Sequence, residues 1–370
     1  MRAPSGAAAQ FSRPRRMAYA ALTAAWLLAI LAGIGECYLW LRWVAPSERS
    51  TSAFWEHPLY MNGPAPGAEG LQVTTEYACR FQNNLLGCRG HLPDLSPAPT
   101  KPRVLVLGDS QTFGLGVSNG ETFCDRLLEA RPDLDVLNAG SNGYGTRESL
   151  AVLHHLGERW RPDVVVLVYF WNDLEDNVKH PLPEFAFDAQ GHVERSDPFP
   201  ADFDPLALRA AVAARPMGAS GARLPKFLKE GLRGLRYRYF GIRRRSIRTP
   251  EDRDAAWEVQ TRLLELFAAR AKELDCELLV AALPDHNQVD PAAVIKNIEP
   301  INIEVQERLF ARCDALGVRH LDLLPALRDA FAQGDDALYY YADRHLTPRG
   351  HAVVGAALGE SLETLLPRDD

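Results

Sequence analysis

A candidate nucleophilic serine follows a short apolar segment in the first third of the chain. Residues 103–107 read Arg-Val-Leu-Val-Leu, and Gly108, Asp109 and Ser110 come directly after them. A continuous run of Val and Leu predicts a buried parallel strand. A serine at the carboxyl end of such a strand lies at the edge where open α/β sheets place their chemistry. The same three residues are ordinary turn formers, so the tripeptide by itself identifies a candidate only.

Three further polar segments could complete the chemistry of this serine. Gly143 lies in a stretch rich in Asn, Gly and Ser after a second apolar segment, and Asn172 follows a third. Asp343 and His345 stand near the end of the chain. A serine hydroxyl becomes a good nucleophile only when a nearby base removes its proton. His345 is the candidate base, and Asp343 is the candidate group that orients the imidazole and stabilises its positive form.

Each of these segments also has a simpler structural interpretation. Asn172 and Asp173 could end a strand in a turn. Asp343 and His345 could be a surface pair ahead of a helix that begins near Thr347. Four independent turns of this kind in one chain are improbable, so the pattern favours a hydrolytic site.

In this order, the four segments resemble the SGNH (GDSL-type) hydrolases, a family named for Ser, Gly, Asn and His residues in separate sequence blocks. The resemblance implies a catalytic triad of Ser110, His345 and Asp343. It also implies an oxyanion hole formed by the backbone N–H groups of Ser110 and Gly143 and the side-chain amide of Asn172. Gly143 is chosen among three glycines because it lies five residues after the asparagine that opens its block, the family's usual offset.

The resemblance covers roughly residues 80–365, excluding an insert near 177–250, and it has one departure. The commonest family pattern places the aspartate three residues before the histidine, and here that position is Ala342. Asp343 instead stands two residues before His345. This Asp-x-His form resembles a branch that includes alginate-type polysaccharide O-acetyltransferases and membrane-anchored esterases, in which the same acid and base roles are expected.

The spacing of apolar segments predicts the architecture that must position these residues. Strands are predicted near 103–107, 134–138, 163–170, 277–283 and 318–323. Helices are predicted at Glu121–Ala130, Arg147–Arg159, Pro250–Leu274 and Val305–Leu316, with a last helix from about Thr347 to Leu366. Strands that alternate with helices indicate a parallel sheet covered on both faces. We therefore expect a flavodoxin-like three-layer α/β/α sandwich with the site along the carboxyl edge of the sheet.

An uncharged run of 19 residues from Met17 to Gly35 predicts a membrane anchor. Three arginines precede it, and the positive-inside rule then keeps residues 1–16 in the cytoplasm. A cleavable signal peptide is the alternative. With an anchor over residues 17–43, we expect a single-pass protein of the inner (cytoplasmic) membrane with a periplasmic catalytic domain.

The rest of the chain divides into two predicted parts. Residues 46–100 form a Pro/Gly-rich approach segment, and residues 101–370 form the hydrolase domain with its insert at about 177–250. The insert carries a basic stretch interleaved with aromatic residues, which could bind an anionic glycan or lipid headgroups or could equally be a solvated helix face. The basic residues concerned are Lys226, Lys229, Arg233, Arg236, Arg238, Arg243, Arg244, Arg245 and Arg248.

The composition excludes several other classes of function. A net charge of −7 is not typical of a nucleic-acid-binding protein. The chain has no phosphate-binding glycine loop and no His/Cys cluster at zinc-ligand spacing, so no metal or organic cofactor is expected. Of its six cysteines, Cys79 with Cys88 and Cys276 with Cys313 could pair after export, or all could remain free thiols.

The sequence therefore predicts a serine esterase that removes O-acyl groups, most plausibly acetyl, from a cell-envelope or exported carbohydrate. An O-acetyltransferase with the same triad is one alternative, because the sequence does not separate water from a sugar hydroxyl as acceptor. A non-catalytic glycan-binding subunit is another. A lipase or thioesterase also fits the fold, since fold does not determine substrate. The expected partners are an acylated carbohydrate or other small ester and the membrane.

Overall fold

A computed structural model of the protein describes residues 13–42, 54–56, 62–74, 76–179, 247, 249–290, 304–334, 337–341 and 343–366. The strands are β1 (Phe54–Glu56), β2 (Asn62–Pro64), β3 (Glu69–Val73), β4 (Ala78–Gln82), β5 (Arg103–Leu107), β6 (Asp135–Asn138), β7 (Val164–Phe170), β8 (Glu277–Leu283) and β9 (Arg319–Asp322). The helices are α1 (Arg13–Arg42), α2 (Ser110–Phe113), α3 (Phe123–Ala130), α4 (Thr146–Trp160), α5 (Asp173–Lys179), α6 (Pro250–Glu273), α7 (His286–Val289), α8 (Glu304–Leu316), α9 (Leu324–Gln333) and α10 (Pro348–Leu362). The basic stretch of the insert lies outside the described residues, so its role stays a prediction.

Five parallel strands form the central sheet in the order β6-β5-β7-β8-β9. Every residue of β5, β6 and β7 is buried, including Arg103, Asp135 and Asn138 at the strand ends. Because β5 lies between β6 and β7, the segments that leave these three strands meet at one edge of the sheet. The predicted three-layer α/β/α architecture is confirmed.

Alternate side chains of the strands build two separate cores, one on each face of the sheet. On one face, Leu105 and Leu167 pack with α4, α6 and α8. On the other face, Val104 and Val166 pack with α3, α9 and α10. Since both faces are covered, the interiors of the central strands are apolar, and the loops at their ends are the places left for polar chemistry.

The approach segment contains two antiparallel hairpins, β1–β2 and β3–β4, rather than only irregular chain. Its Arg89 is 2% exposed, and the guanidinium carbon lies 4.9 Å from the ring centre of Phe81 and 5.0 Å from that of Phe113. The guanidinium donates to the carbonyl of Val117 over 2.7 Å, and the Arg89 N–H donates to the carbonyl of Asn138 over 2.9 Å. These contacts pack the segment against the loops around α2 and the end of β6.

Helix α1 contains an apolar stretch, Met17–Tyr38, with a mean hydropathy of 2.0 over its most apolar window and no buried residues in that window. It is long and apolar enough to cross a membrane. A signal sequence near the N-terminus would meet the same criteria of length and hydropathy. The described helix includes Arg13, four residues before the predicted span.

The two cysteine pairs considered from the sequence are not disulfide-bonded. Cys79, Cys88, Cys276 and Cys313 are all free thiols. Burial raises the pKa of Cys79 to about 11 and that of Cys313 to about 12. These thiols are therefore protonated at neutral pH, and a protonated thiol is a poor nucleophile.

Buried His351 should make the protein less stable in acid. Its Nδ1 accepts a hydrogen bond from the N–H of Phe123, the first residue of α3, over 3.1 Å, and burial lowers its pKa to about 3 from the ordinary 6.5. The unfolded chain thus binds a proton that the folded chain rejects. The free energy of unfolding should fall as pH drops from 6.5 towards 3, by up to about 1.4 kcal/mol per pH unit from this group.

A His351→Asn variant keeps an acceptor near the Nδ1 position but cannot titrate. Urea unfolding at pH 6.5 and pH 4.5 should show a loss of stability smaller by about 2–3 kcal/mol in this variant than in the wild type. His320→Asn, at an exposed histidine, is the matched control and should keep the wild-type pH dependence. An unchanged pH dependence in His351→Asn would contradict the assignment.

Candidate active site

The loop between β5 and α2 presents Ser110 at the edge of the sheet. Gly108 has φ of +156°, and a Cβ there would lie 2.3 Å from Thr112 Oγ1 and 2.8 Å from the carbonyl oxygen of Val168. Only glycine fits this position without displacing backbone. Asp109 then caps α2 by accepting the N–H of Gln111 over 2.8 Å. This tight turn holds Ser110, the first residue of α2, at the carboxyl end of β5.

The structure brings Ser110, His345 and Asp343 into one chain of hydrogen bonds. The Oγ of Ser110 and Nε2 of His345 are 2.7 Å apart, and Nδ1 of His345 is hydrogen-bonded to Oδ1 of Asp343. The side chains of His345 and Asp343 are 17% and 21% exposed. A hydroxyl, an imidazole and a carboxylate in this order can transfer the serine proton to the imidazole while the carboxylate stabilises the resulting charge.

Arg344 explains how an aspartate only two residues before the histidine reaches it. Its φ of +67° is left-handed and turns the backbone sharply between Asp343 and His345. The Arg344 guanidinium forms an ion pair with buried Asp285 on the loop after β8. The side chain of Gln111, next to the serine, donates to the carbonyl of Arg344 over 3.1 Å. These contacts support the strained turn and tie the histidine loop to the serine loop.

The loop after β6 places Gly143 at the same edge of the sheet. Gly143 has φ of +78°, and a Cβ there would meet no atom within 4 Å, so its backbone faces open space. The side chain of Asn138 donates to the carbonyl of Thr112 over 2.8 Å, and the N–H of Ser141 donates to that of Gly108 over 3.1 Å. The loop is therefore fixed against the turn that carries the serine.

Asn172 follows β7, the strand on the other side of β5. One N–H of its side-chain amide donates to Oδ2 of Asp176 over 2.8 Å, on the first turns of α5. The same amide also hydrogen-bonds to the side chain of Asp109, the residue before the serine. Asp176 holds the amide in a fixed orientation, a role that the sequence did not indicate.

Two carboxyl groups beneath the site are deeply buried. Burial raises the pKa of Asp109 to about 6. The pKa of Asp173 is raised well above its ordinary value by burial and by the nearby charges of Asp109 and Asp176. Asp173 is 1% exposed and lies 3.4 Å from the hydroxyl of Thr146. Asp173 is therefore a buried packing and hydrogen-bonding residue beneath the site.

The other histidines near the site have different partners. His286 stacks on Tyr339 with ring centres 5.2 Å apart, and burial together with the charge of Arg344 lowers its pKa. His351 caps α3, as described above. Among the residues that the structure describes, no group of three or more His, Cys, Asp or Glu side chains is placed to hold a metal ion.

One cavity lies away from these residues. It measures about 370 Å³ and is lined in part by Gly317, Arg319 and His320, at the amino end of β9. The Ser110, His345 and Asp343 side chains lie at the opposite, carboxyl edge of the sheet. The cavity is therefore not part of the candidate active site.

A parallel α/β/α sandwich with this constellation at the carboxyl edge of its sheet defines a hydrolase. A family model described as GDSL-like Lipase/Acylhydrolase family matches residues 106–353. The chain therefore belongs to the GDSL-like lipase/acylhydrolase family, which confirms the resemblance seen in the sequence. Comparison with curated proteins gives no match.

The chain is also similar to several solved structures at low sequence identity. A member of the lipolytic protein G-D-S-L family from Veillonella parvula is 12% identical, with 71% of this chain and 100% of that chain covered and a TM-score of 0.41. An α/β hydrolase enzyme from the metagenome of Lake Arreo is 13% identical, with 73% and 99% covered and a TM-score of 0.41. A catalytic mutant of an acetylxylan esterase from Geobacillus stearothermophilus is 12% identical, with 74% and 100% covered and a TM-score of 0.40.

Proposed function

We propose that the protein is a membrane-anchored serine esterase that removes O-acyl groups, chiefly acetyl, from a cell-envelope or exported carbohydrate through an acyl-enzyme. The observation that carries this proposal is the hydrogen-bond chain from Ser110 through His345 to Asp343. With both links in place, the imidazole can take the proton of the serine.

The reaction follows from the positions of these groups. Ser110 Oγ attacks the ester carbonyl as its proton moves to Nε2 of His345. In this proposal the backbone N–H groups of Ser110 and Gly143 and the side-chain amide of Asn172 donate to the resulting oxyanion. His345 then protonates the departing sugar oxygen, which leaves the acyl group on Ser110. A water molecule, deprotonated by His345, then attacks this ester; the bond from the acyl carbon to Ser110 Oγ breaks, the acyl group leaves as the free acid, and His345 returns the proton to Ser110 Oγ.

The choice of substrate rests on the Asp-x-His pattern and on the exposure of the site. Asp343, Arg344 and His345 resemble the branch that contains polysaccharide O-acetyltransferases and anchored esterases. The histidine and aspartate side chains are partly exposed at an open edge of the sheet, which suits a small acyl group on a bulky polar chain. The transferase alternative shares every step up to the acyl-enzyme and differs only in the acceptor.

The proposed location rests on α1 and the charges before it. A 22-residue apolar stretch, Met17–Tyr38, is long enough to span a bilayer. Arg13, Arg15 and Arg16 precede the stretch, and the positive-inside rule places them in the cytoplasm. The hydrolase domain then lies outside the cytoplasmic membrane, in the periplasm of a Gram-negative cell.

The test measures turnover by the full chain in detergent, with p-nitrophenyl acetate or an acetylated oligosaccharide as the acyl donor. Each donor is tested alone and together with an unacetylated oligosaccharide as acceptor. Acetate release that depends on Ser110, without acetylated acceptor in the mass spectrum, is expected for the esterase. Acetylated acceptor would favour the transferase. The absence of Ser110-dependent turnover on any short acyl ester would contradict an enzymatic role and favour a glycan-binding subunit.

Replacing Asn172 with alanine should lower kcat by about 10²–10³-fold and leave KM nearly unchanged, because the amide strengthens its contact only as the oxyanion forms. Steady-state kinetics on p-nitrophenyl acetate measures both constants. Asn119→Ala, at an exposed asparagine, is the control and should retain wild-type kinetics. A rise in KM without a fall in kcat would assign Asn172 to substrate binding instead.

A further inference from the structure

The turn between β3 and β4 reaches the candidate catalytic acid from outside the four sequence blocks. The hydroxyl of Tyr77 donates to Oδ2 of Asp343 over 2.7 Å. The backbone N–H of Asp343 donates to Oε2 of Glu76 over 2.8 Å. Since Oδ1 of Asp343 binds His345, the hairpin supplies partners for the second carboxylate oxygen and for the amide.

The hairpin is itself held rigidly at this place. Thr74 Oγ1 accepts the N–H groups of Glu76 and Tyr77, each over 3.1 Å, and the N–H of Thr74 donates to the carbonyl of Tyr77 over 2.8 Å. The ring of Tyr77 packs on Tyr340 with centres 4.7 Å apart. The Tyr340 hydroxyl in turn donates to the carbonyl of Gly116, on the loop after α2, over 3.0 Å. The Tyr77 hydroxyl is therefore fixed in space before it meets the carboxylate.

The surroundings of Asp343 show why such support is needed. Asp343 lies outside any helix or strand, beside the left-handed Arg344, and its side chain is 21% exposed. A partly exposed carboxylate on a turn can rotate and exchange its partners with water. A donor on Oδ2 prevents this rotation and leaves Oδ1 directed at Nδ1 of His345.

We propose that Tyr77 and Glu76 are positioning residues for the catalytic acid, a proposal that rests on the function proposed above. Tyr77 fixes the carboxylate plane of Asp343, and Glu76 fixes its backbone. Asp343 then holds His345 with Nδ1 protonated and with Nε2 free to accept the proton of Ser110. The segment between α1 and the sheet thus contributes two residues that position the catalytic acid, although it precedes residues 106–353, which match the family model.

The experiment compares two tyrosine variants of the full chain in detergent. Tyr77→Phe keeps the ring contact and removes only the hydroxyl on Asp343. Tyr341→Phe is the control, because it removes the hydroxyl of an exposed tyrosine on the same loop as Asp343. Tyr77→Phe should lower kcat on p-nitrophenyl acetate about tenfold, the size expected for losing one hydrogen bond to a charged group, with KM and Tm unchanged. Tyr341→Phe should change kcat by less than about twofold.

A second variant tests the backbone contact. Glu76→Ala removes the acceptor of the Asp343 N–H and should also lower kcat without changing KM. Wild-type kcat in Tyr77→Phe, or an equal loss in both tyrosine variants, would overturn the proposal while leaving the esterase function intact. Absence of Ser110-dependent turnover in the wild type would instead overturn the proposed function, and the positioning role with it.

Discussion

Replacing Ser110 with alanine should lower kcat for ester hydrolysis by about 10⁴–10⁶-fold. Alanine has no Oγ, so no acyl-enzyme can form, and Nε2 of His345 loses the partner that it meets at 2.7 Å. A residual rate above that of water alone is expected, because the oxyanion donors and the bound geometry remain. Steady-state turnover of p-nitrophenyl acetate and the acyl-enzyme burst in the first turnover measure the loss.

The loss should come without unfolding, because Ser110 is partly exposed and the change removes a single hydroxyl. Circular dichroism and Tm should therefore match the wild type. Ser361→Ala, on α10 and far from the site, is the matched control and should keep full activity. Near-normal turnover by Ser110→Ala in a pure preparation would contradict the role of Ser110 as nucleophile.

The regular part of the fold could be predicted because its causes are local. The strand predicted at 103–107 matches β5 residue for residue, and the strand predicted at 163–170 begins one residue later, at Val164. These strands are apolar throughout since they are covered on both faces. The helix predicted from Glu121 begins instead at Phe123, because Thr122 forms a capping box with Asp125.

The short elements were not predicted, since their sequences carry little periodicity. Strand β3 reads Glu-Gly-Leu-Gln-Val and β2 reads Asn-Gly-Pro, both too short and too rich in Gly or Pro to stand out as strands. The four-residue helices α2 and α7 are single turns set by the caps Asp109 and Asp285. Such elements depend on the loops around them more than on their own residues.

In the candidate site, too, some contacts could be predicted from the sequence, and contacts between residues distant in the chain could not. Ser110, Gly143 and Asn172 follow neighbouring strands, so their meeting at one edge could be expected from the strand order alone. The contact of Tyr77 with Asp343 joins residues 266 positions apart. No pattern in one sequence relates such residues, and the left-handed backbone of Arg344 has no signal either, since arginine rarely adopts it.

Replacing Asp343 with asparagine should lower kcat by about 10⁴-fold with little change in KM. The reason lies in the two partners of this side chain. Tyr77 donates to Oδ2 and His345 binds Oδ1. An amide must turn its oxygen to the Tyr77 donor, and its NH₂ group then faces His345. The imidazole accepts that bond at Nδ1 and carries its proton on Nε2, so it can no longer take the proton of Ser110.

The measurement is kcat and KM on p-nitrophenyl acetate near neutral pH, beside Asp133→Asn as a surface control. The side chain of Asp133 is exposed and forms an ion pair with Arg131, away from the site. Its variant should therefore keep wild-type kinetics. The argument also predicts that Tyr77→Phe recovers part of the activity lost in Asp343→Asn. Without the Tyr77 donor, the amide is free to rotate and to offer its oxygen to Nδ1 of His345. A kcat for Asp343→Asn within tenfold of the wild type would show that His345 holds its working tautomer without the carboxylate.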